Sequence, residues 1–164
     1  MTGLTQLEIV HDDPTIGLLT KGSLFVVQFR EAATADSLAV MEAEHQRLRT
    51  RLGRKLEQLT IIPFGASLPE GELKMAAARA YRTMSAHNHC AATVVIGVGF
   101  WASAARSALT GLSLLARPAC PSKTFGDIPS ALSWIGSTSG DAIGSVHAVS
   151  GELERWRGGD ASAR

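Results

Sequence analysis

Apolar residues along this chain recur first at alternate positions and later at every third or fourth, and the changes of period mark out its elements. Leu7-Glu8-Ile9-Val10 ends at the turn cluster Asp12-Asp13-Pro14, Ile16 to Thr20 follows, and Lys21-Gly22 leads into Leu24-Phe25-Val26-Val27-Gln28-Phe29. Two β-rich runs joined through an X-Gly step predict a hairpin, because glycine accepts the positive φ that such turns demand. Leu38, Met41, His45, Leu48, Leu52 and Leu56 then share one helical stripe. Thr34 or Asp36 can cap its start, and Gly53 marks its end. Leu59 to Phe64 reads as a strand, with Pro63 at its end or on an edge. Ser67 and Glu70 stand in the capping-box relation, with Pro69 at the helix start, ahead of a second stripe formed by Leu73, Ala77, Ala80 and Met84.

The run Ala92 to Val98 is continuously apolar or β-branched, as in strands covered on both faces. A third helix is predicted from about Phe100 to Ala116, stopped by Arg117-Pro118. Its wide face, Trp101, Ala105, Ala108 and Leu112, is expected inward, and a narrow strip of Ala102, Arg106 and Ser113 toward solvent. Lys123-Thr124-Phe125 gives a short last strand, and Asp127 caps a final helix with Gly136 as its C′ residue. Strands alternating with helices at this spacing predict an α/β sandwich: a mixed sheet, mainly parallel in its centre, with an N-terminal β-hairpin or meander and about four helices. Residues 1–136 form the expected single domain. From 137 to 164 Ser, Gly, Ala and Asp dominate, which predicts a flexible tail.

Composition narrows the function classes. Of 164 residues, 45% are apolar and 19% charged, enough to build a core and too apolar for a wholly disordered chain. Sixteen basic against fifteen acidic side chains leave +1, so no global field draws the protein to nucleic acid. The start carries no basic and apolar leader, which places the expected location in the cytoplasm. Thr83 to Ala105 lacks charge over a span-like length, yet His87-Asn88-His89, Gly97, Gly99 and Ser103 interrupt it. A buried strand followed by a helix is expected there, with no transmembrane segment.

Chemistry-bearing patterns are sparse. Gly97-x-Gly99 between a strand and a helix start resembles a dinucleotide turn, but no acidic residue lies about twenty positions on, and Phe100 and Trp101 crowd the turn. His87-x-His89-Cys90 offers metal-binding residue types without a third or fourth ligand at recognisable spacing, so no metal site is expected. Cys90 and Cys120 are too few for a disulfide framework, and no nucleophile-base pair or paired carboxylates stand out. The expectation is therefore no catalytic residue and no cofactor. Arg47, Arg51 and Lys55 share a face of the first helix and are candidates for an anionic partner. Arg106, alone in an apolar helix, is a candidate anchor for a carboxylate.

The element order, together with Thr93-Val94-Val95-Ile96, Arg106-Ser107-Ala108-Leu109-Thr110-Gly111-Leu112 and Phe125 through Ile135, resembles small stand-alone bacterial proteins of STAS-like fold. That fold is shared with the anti-anti-sigma factors and is related in shape to CRAL-TRIO lipid-transfer domains. The resemblance spans about residues 16 to 135 and implies a non-catalytic regulatory or protein-interaction module. Its implied partner is another protein, including a second copy as a homodimer. In anti-anti-sigma factors a hydroxyl in an Asp-Ser-Ser/Thr-Gly loop before the second helix is phosphorylated. Here the loop reads Phe64-Gly65-Ala66-Ser67-Leu68-Pro69, with Ser67 as the corresponding phospho-acceptor but without the Asp and Gly. An alternative is a carrier or sensor of an apolar small molecule or lipid, since Phe100, Trp101 and Leu114 add apolar surface to the third helix. A third is a nucleotide-binding enzyme using the Gly97-x-Gly99 turn.

Overall fold

A computed structural model describes residues 6–141 and 143–162 of the chain. Its strands are β1 (Glu8–Asp12), β2 (Ile16–Lys21), β3 (Leu24–Phe29), β4 (Leu56–Ile62), β5 (Asn88–Val95) and β6 (Ser122–Phe125). Its helices are α1 (Ala35–Leu52), α2 (Gly71–Ser85), α3 (Gly99–Ala116), α4 (Ile128–Ser139) and α5 (Val146–Ser162). The six strands form one sheet in chain order, antiparallel from β1 to β3 and parallel from β3 to β6. The protein is thus α/β with a mixed sheet. No helix among the described residues is long and apolar enough to cross a membrane.

Local signals explain most element ends. The β2–β3 turn is Gly22-Ser23, one residue later than expected, and Gly22 at φ 57° takes the first central position, where a II′-type turn wants glycine. Thr34 caps α1 reciprocally with Ser37, and Gly53 closes it in the left-handed conformation. Asp127 caps α4 by accepting from the Ser130 amide at 2.8 Å. By contrast, the expected Ser67–Glu70 box does not form. Glu70 is the N-cap of α2 and makes no side-chain cap bond, and Pro69 lies before the helix.

Because side chains alternate along a strand, each parallel strand serves two different layers. Leu24, Val26, Leu59, Ile61, Cys90, Ala92 and Val94 face α4 and α5 in one apolar cluster. Phe25, Val27 and Leu56 face α1 and α2 on the other side, where Leu38, Met41, Leu48, Ala80 and Met84 cover them. Helix α3 lies beside α2 and closes over the end of β5 with Ala102 and Ala105 on Val95.

Three further expectations need correction. Within 137–164, expected as a flexible tail, the described residues continue the fold instead, so the domain does not end at 136 and helices number five among the described residues. Gly136 lies inside α4, which runs on to its cap at Gly140. After it, Val149 and Leu153 of α5 are fully buried in the α4 layer. Trp156 lies so close to Gly17 of β2 that a Cβ there would come within 2.4 Å of its ring, and Arg30 stacks over the same ring at 5.1 Å. The signal was weak because Val149 and Leu153 stand four apart among polar and small residues, and Gly151 and Gly158 interrupt the helix. Residues 1–5, 142, 163 and 164 of the expected domain and tail lie outside the described residues. Second, β5 begins at Asn88 rather than Ala92, and ends at Val95. Third, the solvent strip of α3 is misplaced: Ala102 is fully buried while Ala108 is exposed.

Candidate functional site

The layer under α1–α3 is not closed. Between the sheet, α2 and α3 lies a cavity of about 710 Å³, bounded at one end by Phe29 and the Ala66–Pro69 loop and at the other by Arg117, Pro118 and β6. Met41, Ala77, Met84, Leu109 and Leu112 form its apolar roof. Its floor is polar for a reason of register. Thr60 pairs with Thr93 and Thr93 with Thr124, so three threonines stand in one row across β4, β5 and β6 on the cavity face. The preceding row on that face includes Gln58 and Ser122.

Gln58 is the last link of a buried chain that starts under α1. His45 Nε2 lies 2.7 Å from Asn88 Oδ1, Asn88 Nδ2 donates to Gln58 Oε1 at 2.9 Å, and Gln58 Nε2 donates to Thr60 Oγ1 at 3.2 Å. The directions agree when His45 carries its proton on Nε2, and Thr60 then accepts, leaving its own proton to donate into the cavity. His45, Asn88 and Gln58 are each at most 3% exposed. Burial pushes the His45 pKa below its ordinary value, outweighing the opposing bond to Asn88, so the ring is held neutral. Phe25 meets the ring edge-on at 5.4 Å. Toward β6, Tyr81 donates its hydroxyl to Ser122 at 2.7 Å, and burial raises its pKa.

The residues singled out from sequence scatter around this cavity. Ser67 is exposed and lines the cavity rim; without a capping bond its hydroxyl is free of the helix. Trp101 is half-buried, meets Phe64 edge-on at 5.2 Å and packs with Leu68 and Leu109. Phe100 points away and is 90% exposed, close in sequence to Val98 at 86%. Arg106 does not line the cavity. Its guanidinium turns instead toward Gly126 in the β6–α4 turn. Arg47 is paired with Glu44 and Arg51 is exposed in the last turn of α1, but Lys55 lies past the Gly53 cap and so does not share the helix face expected of it; none of the three lines the cavity.

The glycine turn has a packing explanation. Gly97 has φ 117°, and a Cβ there would come within 2.5 Å of the Phe64 ring. The close approach that this glycine permits is taken by an aromatic side chain of the same protein. The cysteines are unsuited to nucleophilic work: burial, then the neighbouring Glu57, push the Cys90 thiol up to about 12, and burial raises Cys120. The sequence reading missed Gln58, Thr60, Thr93 and Thr124. Their signal was present as threonine and glutamine at alternate positions within strands, legible only once the register was known.

Comparisons with protein-family models, with curated proteins and with solved structures gave no significant match to this chain.

Proposed function

We propose that this protein is a non-catalytic, cytoplasmic binding module that takes a small amphipathic molecule into the cavity between its sheet and α2–α3. The observation that carries the reading is the pairing of an apolar roof with the in-register floor of Thr60, Thr93 and Thr124. A volume of about 710 Å³ lies within the range of small-molecule pockets, which combine apolar walls with a few placed polar groups. Hydroxyls at Thr60 and Thr93 suit a ligand that presents an oxygen acceptor toward the sheet and an apolar body toward Leu109 and Leu112. The neutral His45 behind them fixes the donor direction at Thr60. The STAS-like kinship belongs to the same proposal, supported by an N-terminal hairpin followed by successive β-α-β units.

A second reading is a protein-interaction module that pairs with its own copy. It rests on the exposed Phe64, Val98 and Phe100 beside the cavity rim. Native mass spectrometry of the gently purified chain separates the two. A retained small mass that is lost on denaturation supports the carrier or sensor. A ligand-free multimer that a Phe100→Ser change dissociates supports the interaction module. A ligand-free monomer overturns both.

A further inference from the structure

On the opposite face of the sheet, outside the cavity, Glu57, His89 and Asp141 each offer one ligand atom, all within 4.8 Å of one another. We propose that these three residues bind a first-row divalent transition ion of the zinc type.

The site is built by a register slip. Leu56 pairs with Asn88 and Glu57 with Cys90, so His89 is an extra residue of β5 against β4, a β-bulge. In a regular strand His89 and Cys90 would face opposite layers. The bulge leaves Asn88 in the His45–Gln58 chain under α1, and turns both His89 and Cys90 toward the face that carries Glu57. The third ligand follows the C-terminal end of α4, where Asp141 comes just after the Gly140 cap. A helix C-terminus carries partial negative charge, which also favours a cation.

Glu57 supplies an independent sign that something is to be bound. It is 0% exposed, and neither carboxylate oxygen has a hydrogen-bond partner. A buried carboxylate left without a partner is strongly unfavourable, and buried charges are normally paired or bound to metal. Arg54 does not meet this need, since it is ion-paired with Asp141. Its single positive charge leaves the two carboxylates with net negative charge. An imidazole with two carboxylates suits zinc and its neighbours, whereas calcium and magnesium favour all-oxygen sets. His89 is exposed, so the ion can enter from solvent and keep water in its remaining position. His87 and Cys90, the other members of the His87-x-His89-Cys90 group, do not belong to this set.

The test uses the full chain stripped with chelator and titrated calorimetrically with Zn2+, with Co2+ absorption as a second readout. One ion per chain and a raised Tm are expected, with no comparable rise in Mg2+. His89→Ala and Asp141→Asn should each weaken binding by about tenfold or more while leaving the metal-free Tm nearly unchanged. Glu57→Gln should fold at least as well without metal and lose the metal-dependent rise in Tm. Absence of stoichiometric binding overturns the proposal. So does binding that is undiminished in His89→Ala and Asp141→Asn, which would put the ion elsewhere, or a metal-dependent rise that survives Glu57→Gln.

Discussion

The two faces of the sheet are made by the same strands and are built to opposite ends. Toward α4 and α5, β4 and β5 present Leu59, Ile61, Cys90, Ala92 and Val94, which pack in one buried cluster with Ile128, Leu132, Val149 and Leu153. Toward α1–α3, the intervening residues are Gln58, Thr60, Ile62, Ala91, Thr93 and Val95, and a cavity opens above them. A period of two lets one strand contribute aliphatic bulk to one layer and hydroxyls to the next residue's layer. Both sides carry a buried core, Phe25, Leu38, Leu48 and Leu56 among it toward α1 and α2, and the volume left unfilled lies on that second side, between the sheet, α2 and α3.

The largest test of that division is Leu153→Ala. The side chain is fully buried in the α4–α5 layer, so its truncation should lower stability by about 2–5 kcal/mol in urea unfolding. A loss no greater than that of a surface substitution would mean that α5 is dispensable. Next, Gly17→Ala drives a methyl group into the Trp156 ring, and an expected cost of about 1–3 kcal/mol should fall largely away in Gly17→Ala combined with Trp156→Leu.

The His45 effect should be smaller and pH-dependent. Its folded-state pKa is depressed, so below about 6.5 the unfolded chain binds a proton that the folded chain resists. Tm should therefore fall as pH drops through that value toward the lower folded pKa. His45→Gln should flatten this dependence, and an unchanged pH profile in the variant would remove His45 as its source. The smallest stability effect is expected for Thr93→Val. No hydrogen bond to its hydroxyl occurs among the described residues, so stability should move by no more than about 1.5 kcal/mol, the most that one typical hydrogen bond contributes. Retention of any co-purified ligand should nevertheless weaken. Equal retention by wild type and variant would argue against a polar floor that recognises the ligand.

What could be read from sequence was what is decided locally. Thr34, Gly53 and Asp127 act on amides or turns within a few residues of themselves, so the ends of α1 and the start of α4 were legible. The long apolar run at Ala92 likewise announced a strand covered on both sides. Asn88 was not legible as a strand residue, because its burial depends on His45 and Gln58, which lie 43 and 30 positions away. The tail failed for a related reason. Val149 and Leu153 look isolated until Ile128, Leu132 and Gly17 are known to lie beneath that helix. The candidate cavity was hidden because threonines in a β-rich run look like ordinary strand formers, and only register aligns three of them.

The strand order has a kinetic consequence. Each strand lies beside the one made just before it, so a chain emerging from synthesis can add every new strand to an edge that already exists. Loop closure then involves one helix at a time, which favours rapid assembly compared with sheets whose neighbours are distant in sequence. The exception is the junction of the two ends, where the Leu7 amide donates to Glu152 across 145 positions. Docking of α5 beside β2 is therefore the step that waits until every residue between Leu7 and Trp156 has been made, and it joins a late-made helix to strands made much earlier.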